Sequence, residues 1–300
     1  MKKRKQNHLS SARGIDIFVF IFPVLLLFCV FVMYPIIPEI ITSFQKSDGF
    51  RNQGWVGFKN YVSVFTSKNF WLVHKNTYLV ASSSLLVALP ISMLFALLMD
   101  CTIPWVRNLF KFASVFPAVL SPTVIGRLWM AIYENDWGVI NSALRAIGLG
   151  SLTRSWLGDE KVVMISIAVA FLWQYLGLNA LLFYTGIKAI PKTYYEAAEI
   201  DGGGFWVNSF RITIPLLQDV VKYVVLTSTL GSLAMFSYVN VMTSGGPGYV
   251  SRTVPYEVYQ LAFLQGKFGQ GCALSVVFIF ECIFIAILIN HFIAREKIEY

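Results

Sequence analysis

Apolar residues in this chain come in long blocks, with polar and charged residues gathered between them. Six blocks, at about 17–37, 76–99, 110–133, 162–185, 220–243 and 271–294, are each long enough to cross a hydrocarbon core of about 30 Å as helix. The first block follows a basic stretch, as in a signal peptide. It is too long for an h-region and lacks a small-residue cleavage site, so it reads as a retained first span. Pro35 and Pro38 are expected to close it, and Pro117 and Pro122 to kink the third span, which also carries Arg127 near one end. The pattern predicts an all-α, polytopic membrane protein of six transmembrane helices with both termini on one side.

Composition agrees with the pattern. The 300 residues are 56% apolar and 13% charged, with a mean hydropathy of +0.63. Soluble domains carry about 25% charged residues, so most of this surface must face something other than water. The net charge of +8 comes from Lys and Arg flanking the apolar blocks, which suits a lipid membrane and argues against nucleic acid. Basic residues favour the N-terminal side only narrowly. The cluster Lys2, Lys3, Arg4 and Lys5 decides, because the first span usually dominates orientation, and it puts both termini in the cytoplasm. The chain then divides into a cytoplasmic basic N-terminus at 1–16, a first span with its outer loop at 17–73, a five-helix core at 74–294 containing a cytoplasmic loop at 186–219, and a cytoplasmic tail at 295–300.

Chemistry-bearing motifs are few. There is no GxxxxGK[ST] phosphate loop, no nucleophile elbow, no carboxylate pair and no metal-ligand spacing, so no catalytic or metal-binding residue is assigned. Cys29, Cys101, Cys272 and Cys282 form no CxxC pair and read as packing residues.

The cytoplasmic loop holds the most distinctive segment, Thr193 to Pro215. Thr193 followed three residues later by Glu196 predicts a capped helix start. Ala197 and Ala198 favour helix, and Gly202-Gly203-Gly204 end it. The product is a short helix with a small-residue face, reachable from the cytoplasm.

Its spacing also resembles a known one. Glu196-Ala197-Ala198, three residues, Gly202, nine residues, then Ile212 and Ile214-Pro215 resembles the signature loop of permease subunits of bacterial binding-protein-dependent ABC importers. The run EAAEIDGGGFWVNSFRITIPLL is similar to the carbohydrate-uptake branch, with Gly203-Gly204 departing from the Ala and polar residue often found there. Thr243-x-Gly245-Gly246-Pro247, Asn60-Tyr61, and Asp136-Trp137-Gly138 with Asn141 also resemble that family. The resemblance implies a type I ABC importer permease-like fold in the bacterial cytoplasmic membrane. Glu196, Ala197, Ala198, Asp201, Gly202 and Pro215 would form the coupling element that docks on a cytoplasmic ATPase. It further implies two copies of that ATPase holding ATP and Mg, a second homologous permease and an extracytoplasmic solute-binding protein, with no cofactor in this chain. Transport would proceed by alternating access.

Polar groups inside the spans are costly in lipid and usually functional. Trp173, Gln174 and Asn179 in the fourth span, and Tyr238 and Asn240 in the fifth, combine aromatic faces with amide and hydroxyl groups suited to a sugar or oligosaccharide. They either line the substrate path or make hydrogen bonds between helices. Glu281, in the last span, either lines the path or is a paired or protonated contact. A secondary carrier driven by an ion gradient is the alternative. It needs a coupling-ion site and usually internal repeats, and Glu281 alone stands for the first.

Overall fold

A computed structural model describes residues 14–293; the predicted basic N-terminus at 1–16 lies almost wholly outside them, and the tail at 295–300 entirely so. In order, the helices are α1 (Gly14–Phe28), α2 (Tyr34–Ser43), α3 (Lys59–Phe65), α4 (Phe70–Ser83), α5 (Leu89–Asp100), α6 (Pro104–Val119), α7 (Pro122–Ile132), α8 (Val139–Ala146), α9 (Val163–Ala189), α10 (Thr193–Ile200), α11 (Phe205–Asn208), α12 (Ile214–Leu216), α13 (Gln218–Leu233), α14 (Ser237–Met242), α15 (Val254–Tyr259) and α16 (Phe268–Ile293). Between α2 and α3 stands a two-stranded antiparallel hairpin, β1 (Gln45–Ser47) and β2 (Asn52–Trp55), with Gln45 opposite Trp55 and Ser47 opposite Asn52. Among the described residues, all other regular structure is helical. The turn of the hairpin is set by Asp48, whose carboxylate accepts hydrogen bonds from the Phe50 and Arg51 amides at 2.9 and 2.7 Å. Those two donors favour the charged form and hold the Asp48 carboxyl below its usual range.

Among the described residues, five continuous stretches are long and apolar enough to cross a membrane, and the bent pair α6–α7 makes a sixth if counted as one span. The prolines act differently from expectation in two places. The first span does not close at Pro35 and Pro38; it continues to Ser43. A wide turn at Cys29–Met33, with the Tyr34 amide bonded to the Cys29 carbonyl five residues back, precedes Pro35. The same device precedes Pro90, through Leu89 to Ser84, and Pro215, through Ile214 to Ser209. A proline ring collides with the carbonyl four residues back, and widening the turn moves that carbonyl aside so the helix can run on.

The third span is the opposite case. It starts at Pro104, not near 110, and it is no single kinked helix: α6 and α7 meet at 102° across Leu120 and Ser121. Leu120 is already extended at ψ 148°, and Ser121, held extended by Pro122 at ψ 148°, keeps α6 from resuming. The fifth span is also interrupted, at Ala234–Phe236 between α13 and α14, with no proline to announce it. Both breaks free backbone carbonyls that lipid cannot satisfy. Side chains from elsewhere take them up: Gln174 Nε2 donates to the Leu120 oxygen at 2.8 Å, and Thr253 Oγ1 to the Met235 oxygen at 2.8 Å.

Three apolar clusters hold the bundle. One joins α7, α9 and α14 around Ile125, Ile167 and Val239; one joins α5, α9 and α13 around Phe183, Leu217 and Val224; the third joins α3, α4, α15 and α16 around Val73, Val254 and Leu274. α9 runs through the middle and takes α6 at close range. A Cβ on Gly177 would sit 2.5 Å from the Ser114 carbonyl oxygen, so only glycine allows that approach. The first span, in contrast, buries none of its apolar window against the rest of the chain.

Candidate functional site

The loop between α9 and α13 builds the knob that the sequence singles out. α10 spans Thr193–Ile200, and none of its residues is buried. Thr193 is its first helical residue and not its cap; Lys192 precedes it with no side-chain cap, so the predicted pairing of Thr193 with Glu196 is not formed. The reason is local. The chain is already turning at Pro191 and Lys192, whose carbonyls accept from the Tyr194, Tyr195 and Glu196 amides, which leaves Thr193 inside the turn. Glu196, freed from capping, is exposed, as are Ala197 and Asp201, while Ala198 is half-buried.

The far end follows the glycine rule closely. The Gly203 amide bonds to the Ala198 carbonyl at 2.8 Å and the Gly202 amide to the Glu199 carbonyl at 3.0 Å, the two bonds of a Schellman end. Gly202 takes φ +79°, in the left-handed region that L side chains avoid. No neighbour lies within 4 Å of where its Cβ would be, so this position is fixed by backbone conformation, not crowding. Pro215 is exposed and sits in α12, where it belongs to the wide-turn device that returns the chain to α13.

One residue the sequence reading passed over roots the knob. Tyr195 packs into the α5–α9–α13 cluster, and its hydroxyl lies 3.1 Å from Thr213 Oγ1. Below α10 is a cavity of about 440 Å³ lined by Asp100, Lys188, Lys192, Tyr195, Glu199 and Asn208, among others. An ion pair between Lys188 and Asp100 joins the ends of α9 and α5 beside it. The helix thus stands clear of the bundle, fixed at one side by Tyr195 and presenting Glu196 and Ala197 outward. The alternation of aromatic, acid and alanine in Tyr194-Tyr195-Glu196-Ala197 held the signal: one of two adjacent tyrosines on a short helix must face inward.

The five polar candidates inside the spans do not converge. Gln174 is 1% exposed and Tyr238 2% exposed; Gln174 Oε1 accepts from the Tyr238 hydroxyl while its Nε2 holds the Leu120 carbonyl. These two fasten α9 to the α6–α7 break and to α14. Trp173 is 41% exposed, stands edge-on to Trp129, and lines a separate hollow facing α6. Asn240 is half-buried, one turn before the loop that follows α14. Of the five, only Asn179 opens onto the intramembrane cavity of about 280 Å³ between α9, α13 and the wide turn at Ser84–Ala88. Tyr175, the neighbour of Gln174 in sequence, and Ser84 share that lining, together with Thr227 and Ser228, which nothing in the local sequence singles out. Tyr175 and Asn179 are four residues apart and so lie on one helix face, whereas Trp173, Gln174 and Tyr175 point about 100° apart in succession.

On the opposite side of the bundle, the loop residues are structural. Asn60 Nδ2 donates to the Ser43 and Gln45 carbonyls at 2.8 and 2.9 Å. Asn141, 1% exposed, donates to the Asn135 and Arg154 carbonyls and accepts from Trp156 Nε1 at 2.8 Å.

This geometry has counterparts. The chain is 31% identical over 274 residues to the arabinooligosaccharides transport system permease protein AraP of Bacillus subtilis, covering 90% of this chain and 86% of AraP. Its fold matches a crystal structure of a bacterial ABC transporter involved in import of the acidic polysaccharide alginate, with a TM-score of 0.82, 21% identity, and coverage of 94% and 96% of the two chains. A second structure, of a bacterial alginate ABC transporter in complex with an alginate pentasaccharide-bound periplasmic protein, matches with a TM-score of 0.80 and 20% identity over 93% and 94%. Residues 77–297, from α4 through the knob to the end of α16 and beyond, match the model of one family, which leaves a gradient-driven carrier without support. The chain belongs to the family described as the binding-protein-dependent transport system inner membrane component.

Proposed function

We propose that this chain is the permease subunit of an ABC importer for a sugar or oligosaccharide, with α10 as its coupling helix. The observation that carries this reading is the knob: an exposed helix with a Schellman end at Gly202, standing off the bundle on a single aromatic root, in a chain of this family. A cytoplasmic ATPase that grips α10 would move the ends of α5 and α9 through Tyr195 and the Lys188–Asp100 pair. ATP need only prefer one of two arrangements of the spans for transport to follow. ATP and Mg belong to two ATPase copies. The apolar window of the first span, none of it buried among the described residues although α2 meets α16, leaves its surface to lipid and to a second homologous permease.

The saccharide reading draws on AraP and on the cavity between α9 and α13, whose Tyr175, Asn179, Ser84, Thr227 and Ser228 offer a ring face among amide and hydroxyl groups. An extracytoplasmic binding protein would deliver the solute on the hairpin side. Purifying the chain with its ATPase, second permease and binding protein, and measuring ATP hydrolysis against a saccharide panel, tests the proposal. Stimulation by a saccharide is expected; hydrolysis unaffected by every saccharide, with stimulation by another solute class, refutes the sugar assignment. Orientation is tested separately. A cysteine at exposed Lys192 is expected to react with an impermeant reagent only from the cytoplasmic side, and one at exposed Ser142 only from outside.

A further inference from the structure

Glu281 looks isolated in the sequence of the last span, but the fold gives it partners. Its Oε1 lies 3.2 Å from His74 Nε2, and its Oε2 accepts a 2.8 Å hydrogen bond from the Tyr78 hydroxyl. His74 is 4% exposed, with its ring against Phe70 at 4.1 Å between centroids. The other ring nitrogen, Nδ1, is 2.7 Å from the Phe70 carbonyl oxygen. A carbonyl oxygen can only accept, so Nδ1 carries a hydrogen. That fixes what happens at the other end of the ring. With Nδ1–H committed, Nε2 of a neutral imidazole is an acceptor facing a carboxylate oxygen, which is another acceptor. The contact is attractive only when one further proton lies between them. Imidazolium with carboxylate, or imidazole with carboxylic acid, gives the same hydrogen bond and the same proton count.

We propose that His74 and Glu281 together form an intramembrane binding site for one proton, and that the bound proton clamps α4 to α16. Tyr78 steadies the second carboxylate oxygen and is the other titratable group on α4 that reaches the pair; Cys282 follows Glu281 on α16. Lys75 on α4 and Lys59 on α3 are exposed, and Tyr61 of α3 spends its hydroxyl on Ser43 Oγ at 2.6 Å. Glu257 of α15 is tied to Arg252 at 2.9 Å, Glu39 of α2 lines a separate cavity beside Cys272, and the ionisable residues of α13 lie in its first two turns, a span away from His74. Adding a second proton leaves Nε2–H facing the carboxyl oxygen, so the clamp survives acid. Removing the one proton sets two acceptors against each other, so stability held at lower pH is lost as pH rises.

The test is E281Q in the full chain, purified with its partner subunits in lipid nanodiscs. A glutamine amide donates to Nε2 of neutral His74 and its oxygen still accepts from Tyr78, which completes the same contacts with no titratable proton. Thermal unfolding of both proteins is followed from about pH 6 to about pH 10. The wild-type midpoint is expected to fall relative to E281Q by on the order of 2–4 °C as pH rises. A difference that stays constant with pH overturns the proposal. If E281Q does not assemble, ring-¹⁵N spectra of the wild-type side chain, with His8 and His291 replaced by glutamine, decide instead. Nδ1 is expected to stay protonated while the Nε2 signal shifts across the series; an unprotonated Nδ1, or an Nε2 signal that does not move, overturns it.

Discussion

The knob at α10 and the polar groups inside the spans are both candidates for function, and they are built on different rules. α10 is specified by its neighbours in sequence. Its end is set by Gly202 at φ +79° and two backbone bonds, and its outward face by residues that nothing in the chain covers. Gln174, Tyr238 and Asn179 are specified by helices far away in sequence: Gln174 meets Leu120 and Tyr238, and Asn179 shares a cavity with Ser84 and Thr227. Local rules make a site readable from one stretch of chain. A site assembled across three helices is readable only once their rotations are known.

This contrast can be broken most directly at Gly202. Gly202→Val puts a β-branched residue in the left-handed region, at a strain of about 1–2 kcal/mol, with no clash inside the chain. The strain falls on an exposed helix end, so insertion and folding are expected to persist while ATPase co-purification and substrate-stimulated hydrolysis fall roughly tenfold or more. Full coupling in this variant would remove α10 from the transmission path.

Inside the membrane the prediction separates residues that the sequence grouped together. Gln174→Ala leaves the Leu120 carbonyl and the Tyr238 hydroxyl without their partner, at about 1–3 kcal/mol. Lower expression and a lower unfolding midpoint are expected. Asn179→Ala removes a group at the cavity wall and is expected to leave stability close to wild type while lowering uptake. The reverse pattern, with uptake lost selectively in Gln174→Ala, would move the path to the α6–α7 break.

Much of the fold was legible because lipid demands long apolar helices, and the six blocks follow from that demand. What was not legible shows where chain-local reasoning stops. Pro35 was expected to end a helix that a wide turn lets continue, whereas Pro122 starts a new one after Leu120 and Ser121 both run extended. The break at Ala234–Phe236 carries no local signal, since Thr253, eighteen residues on, stabilises it. At the knob, the capping residue was missed by one position because Pro191 and Lys192 begin the turn early. Tyr195 was missed because its value lies in a cluster with α5, α9 and α13.

The smallest effect is expected at Glu196. Because Glu196 is not part of a cap, Glu196→Gln changes charge alone. If the carboxylate meets a basic group on the ATPase, coupled hydrolysis should fall by a few-fold, in keeping with about 0.2–1 kcal/mol for an exposed pair. An unchanged rate would restrict docking to shape.

The central claim is that α10 is the surface an ATPase grips, and one labelling measurement addresses it. In a chain whose four native cysteines are replaced, Ala197→Cys puts a thiol on the exposed face of α10, and Trp206→Cys puts one on the equally exposed α11 nearby. Each is labelled with a maleimide reagent in the permease alone and in the complex with its ATPase. Protection of position 197 on assembly, greater than at 206, is the predicted result; equal labelling of position 197 with and without the ATPase would contradict it.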